Sequence, residues 1–488
     1  MAAGLIVLAA ILGSVATALI IPFLIAVYLD ETQAVLIFGS TAAAYAFVAS
    51  AIFISLRGKE RGLKRIETFG LLLLAWVLLL LSGALPLGLS LGMPSDVALF
   101  ETISAITTNN ASSFVEIEKM PRSILFWRVQ LQWLGGFLTL LSMVIVLAPT
   151  GVGGLPKRQI ALLEKVGIGG GGRILKTCVQ IGTTYIGLTF LCALLLFLTG
   201  MPLYESFSMA SGALSTGGFM PASGGVSDIG TTLAFPILIV FMIIGATSIL
   251  WHRMIITRRG QLLREHRESY LIIIAVAVLA FVLGFGLSQA TLSPDAEHNL
   301  GREILSGIFL AASLVSTTGF EWSDGDIGKI PPILVGCIIL IGGGAFSTAG
   351  GLKFYRLGAM LTQSYHELNR LVFPHSIQSD RFGGSLAEIG VLKAIWSLLI
   401  VAVLIVWGCA AILSLDGIPF EASLIASLSA FSSVGSAYDT NWNNLGQWPE
   451  FSEMALLSKS ALGVTMLLGR IEVLVFFGLF NMTYWNTR

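Results

Sequence analysis

Apolar residues in this chain gather into long runs, from its first residues to its last, divided by shorter polar connections. Two such runs, at 3–28 and 34–56, come first. A unit then recurs four times: a full-length apolar run, a half-length run, a small group of Ser, Thr and Gly, and another full-length run. The long runs lie at 67–91 with 122–148, 173–200 with 230–256, 268–290 with 330–361, and 387–415 with 453–482. At about 1.5 Å per residue, roughly 20 apolar residues cross the ~30 Å hydrocarbon layer, so each long run predicts a spanning helix. Repetition of this kind means one structural element reused around an axis. It divides the chain into two N-terminal helices at 1–62 and repeats at 63–155, 156–260, 261–384 and 385–488. The third repeat also carries a polar segment expected to be cytoplasmic.

The half-length runs, near Val97–Ile106, Glu205–Leu214, Ile308–Val315 and Phe420–Phe431, are too short to span. They are expected to dip into the membrane from one face, and the Ser/Thr/Gly residues after them to return the chain in extended form. Bare backbone at membrane depth requires a water-filled cavity or protein around it. Four such loops sharing one axis satisfy that requirement, and the partially negative C-terminal ends of four short helices aimed at the axis favour a cation. The predicted fold is an all-α polytopic membrane protein. It has four helix, re-entrant helix, helix repeats around a pseudo-fourfold pore, plus two N-terminal helices.

Composition agrees: 55% of the 488 residues are hydrophobic and 11% charged, and the mean hydropathy is +0.86, beyond the range of soluble domains. The formal net charge is zero, which gives no reason to expect a nucleic-acid partner. The charges are nevertheless segregated. Basic residues fall in alternate connections, at 57–65, 157–176, 253–267 and 353–381, and acidic ones dominate the intervening connections. The positive-inside rule puts the basic connections and both termini in the cytoplasm. The first run lacks a basic n-region and is expected to be a retained helix rather than a signal peptide. Cys178, Cys192, Cys337 and Cys409 sit within apolar runs and are expected to be buried small hydrophobes. The five histidines are too scattered for a metal site or a catalytic dyad, and no cluster of catalytic residue types marks an enzyme.

The four loops read Thr107-Thr108-Asn109-Asn110-Ala111-Ser112, Ser215-Thr216-Gly217-Gly218-Phe219, Ser316-Thr317-Thr318-Gly319-Phe320 and Ser432-Ser433-Val434-Gly435-Ser436. Small hydroxyl residues and glycine let backbone carbonyls turn toward an axis and replace an ion's hydration shell. With LQWLGG at Leu131–Gly136, GGGAFSTAGGLK at Gly342–Lys353, HELNRLVFP at His366–Pro374 and LLGRIE at Leu467–Glu472, the chain resembles the Trk/Ktr/HKT superfamily of potassium transporters, bacterial TrkH type. The resemblance implies that each loop supplies one side of a potassium filter. Its residues would be Thr108, Asn109, Asn110, Thr216, Gly217, Thr317, Thr318, Gly319, Val434 and Gly435, with Gly217, Gly319 and Gly435 as the glycines that mark potassium preference. The transported ion would be K+, with Na+ and Rb+ as further candidates. The first loop departs from the family's TTTGAT by carrying Asn110 at the glycine position. Asparagine tolerates left-handed backbone, but its amide oxygen is expected to reach the ion path and relax K+/Na+ discrimination.

Gly342–Gly351 lies mid-span, yet its five glycines with Ser347 and Thr348 break a helix. The resemblance makes this an intramembrane gating loop, with Gly342, Gly343, Gly344, Ser347, Thr348, Gly350 and Gly351 as gating residues. Arg470, deep in the last run, is too costly to be incidental. The resemblance places it facing the pore near that loop, and an ion pair with Glu472 is the rival reading. The GxGxxG match at 167–172 has no βαβ context and the glycines at 342–351 lack a GK[ST] ending, so neither marks a nucleotide site. By resemblance, a homodimer and a cytoplasmic nucleotide-binding TrkA-like regulatory subunit are expected partners, beside the lipid bilayer. Uptake driven by the membrane potential competes with a secondary transporter coupled to H+ or Na+. The repeats, all starting inside, lack the inverted arrangement that would favour the latter.

Overall fold

The computed structural model describes residues 2–56, 65–114, 117–147, 174–222, 224–258, 267–290, 300–373, 381–382, 385–386, 389–438 and 448–471. The basic connections near 57–64, 148–173 and 259–266, and Glu472, lie outside the described residues. Apart from a two-residue antiparallel pair, Arg381–Phe382 with Ser385–Leu386, the regular structure is helical.

Two N-terminal segments, Ala2–Tyr28 (stepped at Leu19) and Thr32–Leu56, pack on each other and on the first repeat. Four units follow. Their first helices are Arg65–Leu91, Ile174–Leu198, Arg267–Ala290 and Ile389–Leu415, and their short helices are Ser95–Ile106, Leu203–Ser215, Leu300–Val315 and Phe420–Ser432. Three short helices begin directly after a proline, Pro94, Pro202 or Pro419, and all four have an acid in the first turn. Proline's fixed φ starts the turn and the carboxylate faces the positive end of the helix dipole. The second helices are Arg122–Leu141, continuing as a π turn to Leu147, then Ala234–Ala246 with Ile249–Ile256, Pro332–Ile341 with Phe354–Val372, and Leu456–Arg470.

Packing closes these units into a ring. Each short helix touches both long helices of its own unit, and the second helix of each unit touches the short helix of the next: Arg122–Leu141 on Leu203–Ser215, Ala234–Ala246 on Leu300–Val315, Pro332–Ile341 on Phe420–Ser432, and Leu456–Arg470 back on Ser95–Ile106. The four short helices therefore share one centre, with the loops at their C-terminal ends. The chain is a multi-pass membrane protein. Among the described residues, seven helices are individually long and apolar enough to cross a membrane, and the bent pair in the second unit makes an eighth if it is counted as one span.

Two expectations change. The run at 230–256 is not one helix: it turns by 109° between Ala246 and Ile249. Thr247 donates its hydroxyl back to the Ile243 and Ile244 carbonyls, ending the first half, and the Ser248 hydroxyl accepts the Leu250 N–H, starting the second. Cys337 is exposed and Cys178 only half-buried, whereas Cys192 and Cys409 are buried as expected.

Candidate functional site

The four loops adopt one backbone pattern. An N–H of each bonds back to a short-helix carbonyl five residues earlier: Asn109 to Ser104, Gly217 to Gly212, Thr318 to Ser313 and Val434 to Ser429. The residue before each of these, Thr108, Thr216, Thr317 or Ser433, is left-handed, with φ between 53° and 60°. This register corrects the glycine assignment in the second loop. The position matching Gly319 and Asn110 is Gly218, not Gly217, and the φ values agree: 67° at Gly218, 80° at Gly319 and 60° at Asn110. Two adjacent glycines hid the register in the sequence. Gly435 is the structural counterpart in the fourth loop but opens a 3₁₀ turn instead. A side chain at Gly435 would collide with the Ala111 nitrogen and the Asn109 carbonyl of the first loop.

Asn109 turns away from the centre, donating its amide to the Ser429 carbonyl at 2.9 Å. Asn110 does not present a bare amide oxygen, as the sequence suggested. Its Oδ1 accepts the Ser436 N–H at 2.9 Å, and the Ser436 hydroxyl donates to the Gly319 carbonyl at 2.7 Å. The reason is proximity: the last and first units adjoin around the ring, so Ser436 meets the amide. Asn110 Nδ2 also lies close to Gly218 and Gly319, so this one side chain reaches all three other loops.

Behind the first loop lies a fully buried ion pair that sequence reasoning missed. Arg128 Nε donates to Glu101 Oε2 at 2.7 Å, and both side chains are 0% exposed. Arg128 Nη2 donates to the Ala111 carbonyl at 2.7 Å, and Glu101 Oε1 accepts the Ser112 hydroxyl at 3.1 Å and the Ser113 N–H. The guanidinium also stacks on the Phe219 ring at 3.8 Å. Losing one partner of such a pair strands the other and costs about 3–5 kcal/mol. The available signal was an acid and a base inside successive apolar stretches.

The segment between Ile341 and Phe354 is a non-helical loop held against the second, third and fourth units. Gly344 N–H donates to Ala246 O at 2.8 Å, Ile249 N–H to Phe346 O at 2.9 Å, and Thr348 N–H to Gly245 O at 3.3 Å. These are the backbone groups freed by the bend in the second unit. The Thr348 hydroxyl reaches the Leu214 carbonyl at 2.8 Å and the Gly245 carbonyl at 3.0 Å, and Gly350 N–H donates to Thr317 Oγ1 at 2.7 Å. Gly350 also presses on the Ser432 carbonyl, and the Ala345 N–H reaches the Glu268 carboxylate at 2.8 Å. Ser347 bonds within the loop, to the Gly344 carbonyl, and Gly342 and Gly351 pack on each other at its two ends. Gly343 packs against Ala349.

Arg470 completes the ring. It is 3% exposed, and its Nε donates to the Thr107 carbonyl at 2.6 Å, its Nη2 to Thr108 Oγ1 and its Nη1 to the Thr348 carbonyl. One guanidinium therefore joins the first loop to the broken segment of the third unit. A cavity beside them is lined by Arg470, Lys353 and Arg356 among others.

Residues 37–483 match the TrkH family model, described as a cation transport protein. The chain belongs to the TrkH family. It is similar to the Trk system potassium uptake protein TrkH of Salmonella typhimurium, 29% identical over 448 residues and covering 88% of each chain. It is likewise similar to the Trk system potassium uptake protein TrkI of Halomonas elongata, 28% identical over 478 residues, 96% of this chain and 93% of that one. Its fold matches the crystal structure of the potassium transporter TrkH from Vibrio parahaemolyticus with a TM-score of 0.84, at 24% identity and 99% coverage of both chains. TrkH-family proteins are transporters rather than enzymes, and the ring of four units described above is the fold of this TrkH-family chain.

Proposed function

We propose that this protein takes up potassium through a single pore at the centre of the four loops, driven by the membrane potential. The carrying observation is the common backbone of the loops, each set at the C-terminal end of a short helix. Carbonyl-rich loops at four negative helix ends are suited to a dehydrated monovalent cation. The printed names of the relatives, potassium uptake proteins, support the choice of ion.

In this reading the repeats occupy 63–155, 156–260, 261–384 and 385–488, after the N-terminal helices at 1–62. The ion path is lined by Thr108, Asn109 and Asn110, by Thr216, Gly217 and Gly218, by Thr317, Thr318 and Gly319, and by Val434 and Gly435. The glycine-rich loop at 342–351 is the gate and Arg470 its electrostatic bolt. A cation passing a fixed positive charge about 8 Å away at an effective dielectric of ~20 meets a barrier of about 2 kcal/mol. Asn110, tied to the fourth loop, makes the outermost ring of the filter unlike a glycine ring and weakens discrimination against Na+, with Rb+ accepted beside K+. The protein sits in the inner membrane with both termini in the cytoplasm, as a homodimer regulated by a TrkA-like nucleotide-binding subunit.

The test is flux of K+, Rb+ and Na+ into vesicles carrying the purified protein, with and without an imposed inside-negative potential. Potential-dependent uptake that prefers K+ and Rb+ is expected. Flux that ignores the potential would overturn the uncoupled pore, and uptake that fails without an H+ or Na+ gradient would favour a coupled symporter.

A further inference from the structure

Glu101 has no counterpart in the other three short helices. In the common register of the loops its position corresponds to Met209, Leu310 and Ala426. At this position three of the short helices carry a buried apolar side chain and one carries half of a buried ion pair. The loop after that helix is also the one carrying Asn110 in place of glycine.

The pair acts on two loops at once. Through Nη2, Arg128 fixes the Ala111 carbonyl, the first after Asn110, and the Ser104 hydroxyl holds the same oxygen at 2.5 Å. Through its flat face, the same guanidinium packs 3.8 Å from the Phe219 ring, which directly follows Gly218 in the second loop. Glu101 orients the guanidinium from one side and holds Ser112 and Ser113 from the other. Arginine alone suits this place, because a planar fork donates along its edges while its face stacks; lysine is a point donor with no face.

We propose that Glu101 and Arg128 are positioning residues for ion discrimination: together they set the spacing of the first and second loops, and with it the preference for potassium over sodium. Whether a filter selects by cavity size or by ligand field, discrimination depends on where the loop oxygens are held. The inference rests on the pore reading above.

Its test is the same vesicle assay applied to Arg128→Lys and Phe219→Leu, with the amount of folded, correctly inserted protein measured in each sample. Arg128→Lys keeps the charge beside Glu101 but loses the second arm and the stacking face. Phe219→Leu leaves the ion pair intact and removes only the ring. Both are expected to admit sodium nearly as well as potassium while total flux per folded molecule persists. Combining them should add little to either alone, because both break the same link. A purely structural role would lower K+ and Na+ flux together and leave their ratio at the wild-type value, and that outcome overturns the proposal. If Arg128→Lys does not fold, an unchanged ratio in Phe219→Leu overturns it alone. Wild-type protein that carries no potassium flux would instead refute the pore reading.

Discussion

Thr348→Val isolates the docking of the broken segment from every other feature of the site. The change keeps the branched shape and removes one hydroxyl, which bonds the Leu214 carbonyl at 2.8 Å and the Gly245 carbonyl at 3.0 Å. Gly245 keeps the Thr348 N–H. Leu214 stands at the end of a short helix, where carbonyls have no partner within the helix, so its oxygen is stranded. A buried acceptor left unpaired costs about 1–3 kcal/mol. The penalty falls on the docked arrangement, since a displaced segment lets water reach that carbonyl. Taking ~2 kcal/mol, the balance shifts toward the displaced segment by about 30-fold, a tenfold change being ~1.4 kcal/mol. Where the open form is rare, potential-driven rubidium flux into vesicles rises by the same factor. Thr348→Ser restores the hydroxyl and returns flux toward the wild-type level. Flux in Thr348→Val no greater than wild type would show that this segment does not limit passage.

Arg470→Gln removes both a charge and three hydrogen bonds, so maximal flux should rise while Arg470→Lys stays closer to wild type; equal flux in all three proteins counts against an electrostatic bolt. Asn110→Gly should raise the potassium-to-sodium permeability ratio, read from reversal potentials or paired fluxes, and an unchanged ratio removes Asn110 as the selectivity determinant. Gly435→Ala forces a methyl group onto the Asn109 carbonyl and Ala111 nitrogen, an overpacking cost of about 1–3 kcal/mol expected as a lower unfolding temperature in detergent together with loss of selective flux. Glu268→Ala frees the Ala345 N–H from a carboxylate, a bond worth about 1.5–3 kcal/mol, and should raise flux in the absence of any regulatory subunit.

The ring of units was legible because its cause is local. Apolar run length separates spanning from half-length helices, and prolines with first-turn acids mark three of the short-helix starts without any knowledge of neighbours. The bend at Thr247 was not legible, because no proline or glycine pair interrupts Ala234–Ile256 at that point. Its cause lies about a hundred residues away. Thr247 and Ser248 make the break tolerable, but the freed Gly245 and Ala246 carbonyls and Ile249 N–H are satisfied only by Gly344, Phe346 and Thr348 of another unit. The same limit hid the partnership of Glu101 with Arg128, whose types were visible and whose meeting depends on how a short helix packs against the next long one.

The bend and the glycine-rich segment are therefore one structure rather than two. Neither break is stable in a low-dielectric interior alone, since each exposes backbone groups that cost several kcal/mol apiece without partners. Paired, each satisfies the other. Moving the segment at 342–353 away from its place thus leaves Gly245, Ala246 and Ile249 unpaired unless the bent helix straightens or water enters beside it. If this segment is the gate proposed above, its opening has to involve the second unit as well as the third. A distance probe between Ile249–Ile256 and the helix Phe354–Val372 should change on opening, and one that stays constant while flux rises would break that link.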